Sequence, residues 1–123
     1  MGKFNLSDTE MEIMKLLWAS EKKLSFREIL DYFNEKQGKN WQRQTLRTQL
    51  VRLSDKGFIS CEKFNGLLLY THRVTEKENV QFWAKGVLNE LFEGSVKNFM
   101  LALSGGSKLD EKTIDELREF IDE

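Results

Sequence analysis

Cysteine and histidine each occur once in the 123 residues, as Cys61 and His72. A single cysteine excludes an internal disulfide framework and fits a reducing compartment. The two residues are also too few for a metal, because a structural zinc takes four ligands and a catalytic one about three. A two-residue turn at Asn65-Gly66 would pair Cys61 with Tyr70 and put it on one sheet face with His72, which leaves at most an incomplete ligand set. Packing is the preferred account of both, and neither metal nor other cofactor is expected. A Cys-His nucleophile pair would need an orienting group and an oxyanion site that no motif supplies. Gly105-Gly106 lacks the lysine and the strand of a phosphate-binding loop. The chain is therefore expected not to be an enzyme. No apolar run approaches the ~20 residues of a membrane-spanning helix, so a cytoplasmic protein without a membrane partner is expected. Repeats and low-complexity linkers are absent too.

What is present suits one domain with an appendage, since 40% of the residues are hydrophobic and can bury a real core. The most informative stretch is NWQRQTLRTQLVRLSDKGFI, Asn40 to Ile59. Leu46, Leu50 and Leu53 recur at helical spacing, so one side is apolar. A turn of roughly 100° per residue puts Gln44, Arg47 and Thr48 on the opposite side, flanked by Thr45 and Arg52. All of these donate hydrogen bonds, and no acid occurs between Trp41 and Ser54. Such a face suits phosphates and base edges. Gly57 supplies a stop. Phe58 to Lys63 and Leu67 to Val74 then read as strands joined at Asn65-Gly66, whose tolerance of positive φ favours a tight hairpin.

Two short helices precede this segment, each opened by a Ser-x-x-Glu capping box: Ser7 with Glu10, and Ser25 with Glu28. The first carries Ile13, Leu16 and Leu17, and the second Phe26, Ile29, Leu30 and Phe33. Three amphipathic helices, the third basic outside and followed by a hairpin, predict a helix-turn-helix with a wing. The fold class expected is mainly α with a small β-hairpin wing.

TLRTQLVRLSDKGFI, Thr45 to Ile59, resembles the recognition helix of the penicillinase repressor family, bacterial repressors of β-lactamase and methicillin-resistance genes with copper-responsive relatives. LSDTEMEIMKLLW, Leu6 to Trp18, is similar to that family's opening helix. Trp41 stands where a tryptophan usually precedes the recognition helix, and LDEKTIDELREFI resembles the family's last helix. The resemblance implies a dimeric winged-helix repressor, inactivated in some members by proteolysis and in the copper-responsive ones by metal. The Cys-x-Cys pair of the copper-responsive members is absent. In the antibiotic-responsive members a protease under sensor control cuts an Asn-Phe bond in the dimerisation region. Aligning Leu109 to Leu117 puts Ala102-Leu103 at that bond, whereas Asn98-Phe99 lies four residues earlier.

The net charge of −1 hides a split. Residues 1–74 hold 13 Lys or Arg against 9 Asp or Glu, and residues 75–123 hold 6 against 11. Phosphates attract the first half and repel the second, so the acidic half should sit away from a duplex. It is also strongly apolar in stripes. A Thr75-Glu78 capping box opens a helix with Val80, Trp83, Val87, Leu88 and Leu91. Val96, Phe99, Met100 and Leu103 follow, and Asp110 can cap a last helix with Ile114, Leu117 and Ile121. About 50 residues cannot easily bury that surface alone, and a second copy of the chain is the simplest partner.

The expectation is thus a winged-helix DNA-binding domain over 1–74 and a helical dimerisation region over 75–123, acting as a homodimeric repressor on a double-stranded operator. Arg43 and Arg52 would hold phosphates, Gln44, Thr45, Arg47 and Thr48 would read bases, and Gln42 belongs to the same DNA-binding set. Lys63 and Asn65 at the wing tip would clamp the flank. The competing reading is a winged-helix module whose same face recognises an acidic protein. Trp18, Trp41 and Trp83 read as core or interface anchors, not stacking platforms.

Overall fold

Both capping boxes form and fix where the first helices begin. In the computed structural model, which describes residues 6–122, the Ser7 amide donates to Glu10 Oε1 at 2.8 Å and the Glu10 amide to Ser7 Oγ at 3.1 Å. Helix α1, Asp8–Ala19, starts there. Ser25 and Glu28 exchange the same bonds at 2.9 and 3.1 Å. These open α2, Phe26–Asp31. The expected apolar stripe is only partly helical in the ordinary sense, because Tyr32–Lys36 widens into a π-helical turn. Asn34 in that turn clasps the backbone of Trp41 from both sides, accepting from its amide at 2.8 Å and donating to its carbonyl at 2.9 Å. The Phe33 and Trp41 rings lie 4.3 Å apart beside it. This clasp sets the start of α3, Arg43–Asp55.

Helix α3 ends in a Schellman motif: the Phe58 amide donates to Leu53 C=O and the Gly57 amide to Ser54 C=O, both at 3.0 Å. Gly57 takes φ +83 there, a value that favours glycine. Strands β2, Ile59–Phe64, and β3, Leu67–His72, pair antiparallel with Cys61 opposite Tyr70. The turn has φ 50 at Asn65 and φ 80 at Gly66, as a type I′ hairpin needs. A third strand, β1, Leu24–Ser25, adds to the other edge of β3 and gives the order β1-β3-β2. It was not expected. Two residues carry no periodicity, and Ser25 already serves as the cap of α2.

The core joins Ile13, Met14 and Leu17 of α1 to Ile29, Phe33, Leu46, Leu50, Leu53, Phe58 and Ile59. All three α3 leucines are buried as expected, but on α1 it is Met14 and not Leu16 that is fully covered. Trp18 and Trp41 pack at the margin, and Trp18 Nε1 donates to Val74 C=O at 2.9 Å. The result is a winged helix.

One ion pair ties the start of α1 to the end of α3. Lys56 Nζ lies 2.9 Å from Glu10 Oε1, and Glu10 is only 3% exposed. Burial pushes the Glu10 carboxyl up, but the Ser7 amide and hydroxyl and the Lys56 ammonium outweigh it and hold the group below its ordinary value. A depressed carboxylate contributes stability that is present above its unfolded value and lost as pH falls through the folded value. Glu10→Gln should flatten that acid limb in urea denaturation. Lys56→Met, which removes the ammonium partner of a buried carboxylate, should cost roughly 1–3 kcal/mol at neutral pH.

The chain divides into two units, Met1–Trp83 and Ala84–Glu123, with the division inside α4, Glu76–Phe92. Helix α4 opens on the expected Thr75-Glu78 box, with bonds of 3.0 and 3.1 Å. The second unit continues with α5, Val96–Ser104, capped by Ser95, and α6, Glu111–Asp122, capped by Asp110. The Phe92 and Phe99 rings meet edge to face at 5.3 Å. Neither α5 nor α6 has a fully buried residue.

Candidate nucleic-acid interface

The buried leucines leave the opposite side of α3 to solvent. Gln42, Arg43, Gln44, Thr45, Arg47 and Arg52 are exposed, while Thr48 is half-buried and accepts from Gln44 Nε2 at 3.4 Å. Among the described residues, none of the three arginines forms an ion pair. Gln42 caps the helix with its backbone alone: its side chain makes no cap bond, and its carbonyl accepts from Leu46 at 3.3 Å. The amides of the first turn, which have no intrahelical acceptor, therefore keep company with Arg43.

Two contributors escaped sequence reading. Phe26, the first residue of α2, lies under both Arg43 and Arg47, whose Cζ atoms are 5.0 and 5.4 Å from its ring centroid. An apolar residue at the start of an amphipathic helix reads as core, so no signal marked it as a platform. The arginines are held over its ring by cation–π attraction, about 0.5–1 kcal/mol each at exposed sites. Phe26→Ala should then weaken binding to an anionic partner roughly 2- to 10-fold in titrations, with the fold retained by circular dichroism. The second is Tyr70. Burial, then the neighbouring Cys61 thiol, pushes its phenol above the ordinary value, while Arg47 pulls it down. It stays a neutral hydroxyl at physiological pH.

Lys63 and Asn65 are exposed at the wing tip as expected. Cys61 is exposed and not packed, because the core stops covering the sheet after Ile59. His72 is half-buried, and among the described residues its Nδ1 has no hydrogen-bond partner. Among the described residues, no three His, Cys, Asp or Glu are grouped to hold a metal, and no helix is long and apolar enough to cross a membrane.

The family model described as Penicillinase repressor matches residues 6–123. The chain belongs to the penicillinase repressor family. The resemblance carried by Thr45 to Ile59 and by the first and last helices thus holds across the sequence. It is similar to the penicillinase repressor of Bacillus licheniformis, 25% identical over 118 residues, which span 96% of this chain and 90% of that one. The methicillin resistance regulatory protein MecI of Staphylococcus aureus strain N315 is 28% identical over 118 residues, or 96% and 94% of the two chains. Among solved structures, the DNA-binding domain of the repressor BlaI matches with a TM-score of 0.52 and 27% identity, over 60% of this chain and 87% of that one. Family membership extends beyond the winged helix, through α4, α5 and α6.

Proposed function

We propose that this protein is a DNA-binding transcriptional repressor of the cytoplasm, acting as a homodimer on a twofold-symmetric operator. The observation that carries the reading is the exposed face of α3, free of acids from Arg43 to Ser54, with Arg43 and Arg47 already held over Phe26. Preorganised guanidinium forks match base edges and phosphates and lose little freedom on binding. Gln44, Thr45, Arg47 and Thr48 read bases in the major groove. Gln42, Arg43 and the first-turn amides of α3, with Arg52, grip phosphates, as a helix N-terminus beside cations favours anions. Lys63 and Asn65 hold the flanking backbone.

Residues 75–123 make the dimer. The apolar residues of α4, α5 and α6 support this: Leu91 is 65% exposed, Leu103 57% and Ile121 76%, with Val80, Trp83 and Val96 also open to solvent. Val87, Leu88, Phe99, Met100, Ile114 and Leu117 are half-buried beside them. That much open apolar surface on a small helical unit calls for a partner of the same character. A twofold copy would present two α3 helices to major grooves about 10 base pairs apart or a multiple of that.

Relief of repression is proposed to follow cleavage by a sensor-controlled protease between Asn98 and Ser104. Asn98-Phe99 and Ala102-Leu103 both lie inside α5, whose amides are hydrogen-bonded, so the helix must open before a protease can take its backbone. Mass spectrometry of the protein from induced cells should find it cut in this window. An intact chain with full derepression would exclude proteolysis as the switch.

Selection of fragmented genomic DNA on purified protein tests the function itself. Enrichment of a few fragments sharing an inverted repeat is expected, and recovery no different from input would refute it.

A further inference from the structure

The wing ends on apolar side chains that the described residues leave uncovered. Phe64 and Leu67 face each other across the strand ends beside the turn and are 61% and 58% exposed. Leu68, on the opposite face against Lys63, is 48% exposed. A hairpin meant only to meet water or phosphate would carry polar residues here. The surroundings suit a polyanion. No acid occurs from Lys63 to Thr75, and Glu62 just before is engaged by Lys23.

The placement of the tip is set by the register. Helix α3 packs against β2, and from the Cys61–Tyr70 pair on these strands three residues on each side lead to the Asn65-Gly66 turn, four residue steps in all. At about 3.4 Å per residue the tip lies about 14 Å along the hairpin from that pair. Adjacent major and minor grooves are separated by half a helical turn of roughly 34 Å. With α3 in a major groove, the tip therefore reaches the neighbouring minor groove.

We propose that Phe64 and Leu67 form an apolar wedge that enters the minor groove beside each half-site and bends the duplex, with Lys63 on the phosphate next to it. The wedge rests on the DNA-binding reading and deepens it. Apolar side chains pressed into the minor groove unstack a base step and bend the duplex toward the major groove, and pyrimidine–purine steps yield most easily. Their surface leaves water in the process. The wing thus selects sequence through deformability at a position where no base hydrogen bond is made, and the operator flanks should carry TA or CA steps under the wings.

End-labelled operator fragments obtained by genomic selection, bound by the full-length protein, give the bend by energy transfer between the labels. Bending by roughly 20–90° is expected. Phe64→Ser with Leu67→Ser alters two exposed side chains and should leave thermal melting unchanged. It should reduce the bend, weaken operator binding at least about tenfold, and abolish preference for flexible steps in the flanks. Phe64→Leu should restore most of the bend. A straight duplex under the unmodified protein, or a double variant with unaltered bend and affinity, overturns the wedge and leaves DNA binding standing. Failure of the unmodified protein to select any DNA removes the reading beneath it.

Discussion

Leu91→Asp combined with Leu103→Asp should turn the protein into a monomer and lower its apparent affinity for a two-half-site operator by about 10²- to 10⁴-fold. Both side chains are more than half exposed in the single chain, so aspartate there takes little from the folding of one copy. In a dimer the same carboxylates would be buried without partners, at several kcal/mol for each charge. The affinity falls because pairing makes the second half-site an intramolecular event with an effective concentration set by the dimer, and a monomer forfeits it. Met100 is a poorer choice for this test, being half-buried within its own chain. Sedimentation equilibrium on the variant and its parent, with operator titrations beside it, checks both halves. A parent monomeric at tens of micromolar would remove the dimer.

The second large effect is expected at Arg47. A bidentate arginine contact to a base contributes about 1–3 kcal/mol of discrimination, so Arg47→Ala should weaken operator binding about 5- to 150-fold. It should also flatten preference at one position in each half-site. Arg43→Ala is the informative control. It removes the other guanidinium over Phe26, at a similar distance, and yet should weaken all sequences alike and reduce the salt slope by about one. Competition against operators changed one base at a time separates the two. An Arg47→Ala profile parallel to the parent's would strike that residue from the reading set. Arg47→Lys should not restore the profile, because a point charge cannot reproduce the fork.

The winged helix was legible because its parts carry local chemistry. Each capping box needs only two side chains three residues apart, and each formed where the sequence placed it. The leucines of α3 lie on one helical face whatever surrounds them, and Asn65-Gly66 fixed the hairpin register through its tolerance of positive φ. The rest depends on contacts distant in sequence. Strand β1 exists because the edge of β3 accepts Leu24 and Ser25, which no pattern within two residues can announce. The π turn at Tyr32–Lys36 adds a wide loop of backbone inside an apolar stripe that reads as continuous. Its use becomes visible only when Asn34 reaches Trp41. Met14 is fully covered while Leu16 packs at the edge of the core, because a stripe fixes a helical face only to within one residue. Phe26 fitted that stripe, and its second role required the arginines of another helix to arrive over its ring.

Those arginines carry the central claim, that α3 faces of two copies read one operator together. Hydroxyl-radical footprinting of the selected operator with purified protein tests it most directly. Two protected windows are predicted, related by a twofold axis and centred about 10 base pairs apart or a multiple of that, with additional minor-groove protection outside each. A single asymmetric window, or protection that does not change between operator and unrelated DNA, would contradict the account.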